Sequence, residues 1–264
     1  VTAAAAEAAA LLGGALQRAV AVHGGDLSDV VRIELTDGRQ AVVKTGPSPR
    51  TEAAMLAAIA ATGAPAPRVL AVSDKFLVLD VLPDGGALGG AWDDMGAVLA
   101  RLHRAVGPRY GWHADYAFGQ VAILNGWADD WPVFWAERRL LPQVTHLPAS
   151  LARRVEALAA DLPNRLPRRP PAALLHGDLW GGNVLVADGR ISGLIDPACY
   201  YGHGEVDIAM LGLFDRPDRA FHAAYGALEG GSRERLAIYS LWPALVHFRL
   251  FGDGYKGLVE RLLF

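Results

Sequence analysis

The run His176-Gly177-Asp178-Leu179-Trp180-Gly181-Gly182-Asn183 sets a carboxylate and a carboxamide five residues apart, and Asp196 follows eighteen residues after Asp178. Three oxygen-bearing side chains at these intervals suit phosphoryl transfer. A carboxylate within hydrogen-bond reach can orient an acceptor hydroxyl and take its proton, while phosphate oxygens need a divalent cation between them. Magnesium prefers hard oxygen ligands and completes its octahedron with phosphate and water, so two protein ligands suffice. Asp178 is the candidate base, and Asn183 and Asp196 are the candidate Mg2+ ligands. The alternative makes the HGD tripeptide a turn and Asp196 a cap. Against it stands the conjunction of the loop with the apolar stretch Ile191 to Ile195, which ends on that second acid.

The offset from Asp178 to Asn183 matches the kinase catalytic loop H-R-D-L-x-x-x-N, so an ATP-holding segment is expected upstream. Val30 to Leu35 and Gln40 to Thr45 are β-branched runs joined across Asp37-Gly38, a strong hairpin signal. Lys44 ends the second run. It is one of three lysines against twenty-two arginines, and Ala41-Val42-Val43-Lys44 has the form of the V-A-I-K lysine that pairs with phosphates. Its expected partner is Glu52, at the start of the Ala-rich helical stretch Arg50 to Ala61. A solvated strand-end lysine and a glutamate favoured by the helix dipole would look the same in isolation.

Two further segments complete the nucleotide side. His23-Gly24-Gly25-Asp26-Leu27-Ser28-Asp29 is placed to cover the phosphates, with Gly24, Gly25 and Ser28 offering backbone amides. It is neither GxGxxG nor a Walker A sequence, and an ordinary turn explains it almost as well. Leu79-Asp80-Val81-Leu82-Pro83 has the form of a hinge, which makes Asp80 and Leu82 candidates beside adenine.

Trp180 within HGDLWGGN, followed by Asp196-Pro197-Ala198-Cys199-Tyr200-Tyr201-Gly202-His203-Gly204-Glu205-Val206-Asp207-Ile208-Ala209-Met210, resembles the fructosamine kinase (ketosamine 3-kinase) family. Trp131, Phe134, Trp135, Arg139, Leu140 and Gln143 continue the likeness, and Phe251-Gly252-Asp253-Gly254-Tyr255 extends it almost to the C-terminus. The resemblance implies an α+β bilobal, protein-kinase-like fold shared with aminoglycoside phosphotransferases. It implies ATP and Mg2+ as cofactors, and phosphorylation of a sugar hydroxyl on a fructosamine- or ribulosamine-type ketosamine, small-molecule or protein-bound, in a deglycation-repair reaction. It also casts Asp207 as the acid that braces the catalytic loop, a place a simple helix cap would equally occupy. The family often carries Asp-Asn followed by Ile-Gly where this chain reads Asp115-Tyr116-Ala117-Phe118-Gly119-Gln120, so the Asn is missing from that loop. Some members carry a redox-active cysteine in the phosphate loop; here Asp26 stands near that place and Cys199 is the sole cysteine.

For the acceptor, Trp180, Tyr200, Tyr201, His203, Glu205 and His247 combine flat apolar faces with polar anchors, as small-molecule pockets do. Each is individually also a good packing residue. Trp180 is the strongest candidate because it lies between the base and the metal-binding Asn. Trp131, Phe134 and Trp135 on one short helix read as core, and His103 as a packing residue.

The elements that must position these groups follow from punctuation. Residues 1–82 read as a helix, three strands, a helix and two more strands around 69–72 and 76–82, which gives a five-stranded antiparallel ATP lobe. Gly63-Ala64-Pro65-Ala66-Pro67 separates helix from strand. Residues 83–264 read as a mainly helical catalytic and substrate lobe, with helices around 91–105, 129–141 and 148–161 and a loop at Pro167 to Pro171. The span from Asp196 to Asp207 is too short for a long regulatory activation loop.

Composition agrees. A chain of 264 residues can bury a substantial core, and a net charge of −3 argues against nucleic-acid binding over a broad basic surface. One cysteine excludes an internal disulfide and suits a reducing cytoplasm. The Ala-rich segment Val1 to Leu16 lacks early positive charge and reads as a helix, and no long apolar run suggests a membrane span. A monomer or weak dimer is expected. Two rival readings are an aminoglycoside-type phosphotransferase and a nucleotide-binding pseudokinase scaffold.

Overall fold

The computed structural model describes residues 2–22 and 29–263. Helix α1 (Thr2–Leu11) is followed by β1 (Leu16–Val22), β2 (Val30–Leu35), β3 (Gln40–Thr45), α2 (Pro49–Ala61), β4 (Val69–Val72) and β5 (Phe76–Leu79). The five strands form one antiparallel sheet in the order β1-β2-β3-β5-β4. Asp37-Gly38 makes the expected β2–β3 turn, with Gly38 at φ +83, where a Cβ is costly. One face, from Val31, Ile33, Ala41, Val43 and Val78, packs on Ala5, Ala8 and Ala9 of α1. Small alanines let that helix lie close.

Two boundaries differ from expectation. The first helix stops at Leu11, because Gly13 turns left-handed at φ +70, and Leu16 opens β1 instead of closing the helix. Strand β5 stops at Leu79 instead of Leu82, because the Arg68 N–H bonds the Asp80 carboxylate rather than the Asp80 backbone carbonyl and the ladder ends there.

The remainder is mainly helical. It comprises α3 (Trp92–His103), the hairpin β6 (Tyr116–Phe118) and β7 (Val121–Ile123), α4 (Trp131–Trp135), α5 (Leu141–Val144) and α6 (Ala149–Arg165). Then come β8 (Ala173–Leu175), β9 (Val184–Ala187), β10 (Arg190–Leu194) and β11 (Tyr200–Gly202), with α7 (Glu205–Phe214), α8 (Arg219–Tyr225), α9 (Ser232–Phe251) and α10 (Lys256–Leu262). Between α4 and α5 the helix widens into a π-helical stretch over Ala136–Leu140, which turns the Arg139 side chain into the core.

Trp131, Phe134 and Trp135 fill the centre of this part, as their place on one short helix predicts, together with Tyr239 and Trp242 of α9. Met55 and Ile59 of α2 belong to the same core, so α2 is buried against both the sheet and the helical part. That double attachment fixes the helix that carries Glu52. No helix among the described residues is long and apolar enough to cross a membrane.

Candidate active site

Lys44 is 7% exposed at the end of β3, and its ammonium lies 2.7 Å from Glu52 Oε1 and 2.9 Å from Asp196 Oδ1. An alternating strand dictates this: Val43 fills the α1 side, and Lys44 turns to the other face, toward α2. Burial opposes the charge on Lys44, but the two carboxylates outweigh it and hold the amine above the usual lysine range. The lysine is therefore a fixed cation held between α2 and Asp196. The second oxygen of Glu52 accepts a hydrogen bond from the hydroxyl of Tyr116 at 3.3 Å.

The loop carrying Asp178 is held from behind. Fully buried Asp207, in the first turn of α7, accepts the backbone N–H of His176 at 2.7 Å and of Gly177 at 2.9 Å. His103 Nε2 donates to the same carboxylate at 3.1 Å, while its Nδ1 faces the Tyr225 hydroxyl at 2.9 Å. His176 is itself buried, with Nε2 directed at Ile195 O and Nδ1 accepting the Asp178 N–H. Gly177 adopts φ +81 and presses on Ala198 O, so no side chain fits there.

Asn183 donates its Nδ2 to Asp178 Oδ2 at 3.0 Å and to Asp178 O at 2.8 Å, which leaves its carbonyl oxygen as the remaining acceptor. Burial pushes the Asp178 carboxyl up to about 7; the Asn183 hydrogen bond pulls it down and the Asp196 charge pushes it up again. Such a carboxylate can exchange a proton near neutrality. Asp196 sits just beyond β10 at φ +54, a left-handed conformation that costs a non-glycine residue energy and aims its carboxylate at Lys44. Asn183 and Asp196 together offer only hard oxygens, the donor set magnesium takes.

Trp180 is 40% exposed and its ring folds over Gly182, where a Cβ would collide with it. Its edge meets Phe214 at a centroid distance of 6.5 Å, Phe214 meets His247 at 4.8 Å, and His247 meets Tyr255 at 5.0 Å and Phe251 at 5.5 Å. An aromatic wall thus runs outward from the loop of the candidate base. Trp180 and His247 are brought together in it.

The other acceptor candidates are not in that wall, and this corrects the expectation for them. Tyr200 is fully buried beneath the Arg139 guanidinium, 4.1 Å from its ring, and stacks on Phe134. His203 is buried with Nδ1 on the Tyr239 hydroxyl at 2.8 Å, and Glu205 is buried in an ion pair with Arg235 at 2.7 Å. The polar groups of His203 and Glu205 are already spent on packing partners, and the Tyr200 hydroxyl is buried with no hydrogen-bond partner among the described residues. Tyr201 stacks on Trp127 and tilts against Trp112.

On the nucleotide side, the Asp80 carboxylate is taken by the Arg68 N–H and guanidinium, each at 2.7 Å, so its side chain and N–H are not free for adenine. Leu82 rests on Gly193, whose missing side chain makes room for it. Gly24, Gly25 and Ser28 lie outside the described residues. Cys199 is buried against Met55 of α2, its N–H 3.3 Å from the Met55 sulfur. Sequence reasoning missed three contributors: Tyr116, Phe214, and Asp215, which accepts the Gly181 N–H at 2.7 Å. Only a prediction of the β6–β7 hairpin could have pointed to Tyr116.

A buried lysine–glutamate pair bridging a five-stranded sheet and the helix beside it, with a loop Asp and Asn and a strand-terminal Asp close by, defines a kinase-like phosphotransferase. The fold agrees with that of an aminoglycoside phosphotransferase solved with AMP-PNP and hygromycin B, at TM-score 0.69 and 17% identity over 94% of each chain. More specifically, the fructosamine kinase family model matches residues 2–263, and the chain belongs to that family. A "Probable ketoamine kinase" of Synechocystis is 37% identical over 202 residues, 72% of this chain and 66% of that protein. A Thermobifida fusca crystal structure provisionally named a fructosamine-3-kinase superposes at TM-score 0.91 and 30% identity, over 100% of this chain and 98% of that one.

Proposed function

We propose that this kinase transfers the γ-phosphoryl group of ATP to a sugar hydroxyl of a fructosamine- or ribulosamine-type ketosamine, a step of deglycation repair. The observation that carries the reading is the Asp178 carboxylate, beside Asn183 and opposite the Lys44–Asp196 pair. Asp178 orients the hydroxyl and receives its proton as the hydroxyl oxygen bonds to the γ-phosphorus and the bond to the bridging oxygen breaks, releasing ADP. Lys44 holds the α and β phosphates, Glu52 holds Lys44, and Asn183 and Asp196 would hold Mg2+. When bound, the cation neutralises charge on the transferring phosphate. Leu82 and the backbone of residues 80–83 meet adenine where residues 1–82 give way to 83–264.

The acceptor meets Trp180 and the wall of Phe214, His247, Phe251 and Tyr255. Flat rings suit the apolar arm of an amine-linked ketose, whereas a polycationic antibiotic would call for acidic groups. ADP release measured on fructosamine, ribulosamine and kanamycin tests the assignment. Turnover on a ketosamine is expected; turnover on kanamycin alone would replace the acceptor class and leave the kinase reading standing.

A further inference from the structure

Glu52 is gripped from two directions that belong to different parts of the molecule. Lys44 of the sheet takes Oε1 at 2.7 Å, while Tyr116, on the β6–β7 hairpin of the helical part, donates to Oε2 at 3.3 Å. Sixty-four residues separate the tyrosine from the glutamate.

The hairpin is built to hold its tyrosine still. Its base is closed by Asp115 Oδ1, which accepts the Asn125 N–H at 2.6 Å, and by the Asn125 side-chain amide on Ala114 O at 3.2 Å. Asn125 Oδ1 is in turn held by Arg139 Nη2 at 2.8 Å. Arg139 is fully buried with no carboxylate among its hydrogen-bond partners in the described residues; its guanidinium lies over the rings of Tyr200, Phe134 and Trp242. Phe118 continues the support, edge-on to Tyr116 and tilted against Trp242. Burial and the surrounding charges of Glu52, Asp196 and Asp178 push the Tyr116 hydroxyl far up, so it remains a neutral donor.

The consequence lies in how Lys44 is shared. Its ammonium sits between Glu52 and Asp196, and Asp196 is also a candidate cation ligand. With Asp196 shared with a cation, Glu52 would be the lysine's principal anchor. A carboxylate anchored through one oxygen can swing; one held through both cannot. We propose that Tyr116 is a positioning residue for phosphoryl transfer: by fixing the free oxygen of Glu52 across the cleft, it sets Lys44 for the phosphates. This rests on the kinase reading and acts on the nucleotide, not on the acceptor.

The test is Tyr116→Phe, which removes one oxygen atom. Mg·ATP affinity is measured by titration calorimetry, and KM for ATP and for a ketosamine by ADP release. Both nucleotide parameters are expected to weaken about fivefold, the middle of the range for the net contribution of an ordinary hydrogen bond. KM for the ketosamine stays within about twofold, the span of measurement scatter assumed for an untouched step. In a Glu52→Ala background the same substitution should add nothing, because its effect passes through Glu52. All measurements are made at one fixed interval below each variant's own Tm, so only folded protein is compared. Unchanged nucleotide affinity, an equal loss in the Glu52→Ala background, or a loss confined to the ketosamine KM would each overturn the proposal. Calorimetry needs no acceptor, so a wild type that binds Mg·ATP but ignores every ketosamine would refute the acceptor class alone.

Discussion

Asp207 Oδ2 accepts the backbone N–H of His176 at 2.7 Å across thirty-one residues of chain. Its other oxygen takes the Gly177 N–H, and His103 donates a third bond, so one buried carboxylate sets the backbone from which Asp178 projects. Charge-assisted bonds of this kind contribute about 1.5–3 kcal/mol each. Asp207→Asn turns an NH2 group toward a backbone donor, so it should lower stability by about 2–3 kcal/mol and also slow turnover. Urea unfolding and kcat, measured together, check this. Loss of stability with kcat intact would make Asp207 a packing residue only.

Asp178→Asn should behave differently. It keeps the shape of the side chain and removes the proton acceptor, so kcat should fall about 10²–10⁴-fold while Mg·ATP affinity and Tm stay near wild type. Rapid-quench and calorimetric measurements on the same preparation separate the two. Near-normal turnover would remove Asp178 from the role of base.

The parts of the site that could be read from sequence were those whose chemistry depends on local spacing. Asp178 and Asn183 share one turn, Lys44 ends an alternating strand, and Glu52 opens the next helix; each pairing is short in sequence or fixed by strand geometry. Tyr200, His203 and Glu205 failed for the opposite reason. Their types suit a pocket or a core equally, and the choice was made by Arg139, Tyr239 and Arg235, which lie far along the chain. The β6–β7 hairpin was invisible because its strands are only three residues each, too short for an alternation to register. The five-stranded sheet is legible, but the end of its last strand is not, because nothing local announces that the Asp80 side chain takes the Arg68 N–H.

His203 gives the fold an acid sensitivity. Trp131 Nε1 donates to the Tyr239 hydroxyl at 2.9 Å, and that hydroxyl lies 2.8 Å from His203 Nδ1, placed to donate to the neutral imidazole there. Burial, then Arg235, pulls its pKa down to about 4, with Glu229 pulling the other way and His103 adding to the fall. Because the folded value is the lower one, this stabilisation is complete above the unfolded value near 6.5. It is lost as pH falls from there toward 4, in total about 3 kcal/mol. His203→Asn keeps an acceptor for Tyr239 and removes the titration. Its Tm should decline less steeply than wild type between about pH 6.5 and pH 4, the window set by these two values. Parallel Tm–pH slopes for the two proteins would show that His203 does not titrate in that window.

The aromatic wall makes the remaining prediction. Trp180 stands on the loop between the candidate base and the candidate metal ligand, and Phe251, 47% exposed, stands at the wall's outer end. If the acceptor lies along these rings, the inner one governs alignment of the reacting hydroxyl and the outer one holds only the amine-bearing arm. Binding energy that aligns a reacting atom is expressed in kcat, whereas energy spent equally on ground and transition states is expressed in KM. Trp180→Ala should therefore lower kcat/KM for a ketosamine about 100-fold, with a fall in kcat, since losing a ring contact and its alignment removes about 2–3 kcal/mol. Phe251→Ala should raise KM alone, by about threefold to tenfold, and more for a ketosamine on a peptide lysine than on a free amino acid. Steady-state kinetics on the two acceptors decide it. Equal, small effects of both substitutions would place the acceptor on another face of the cleft.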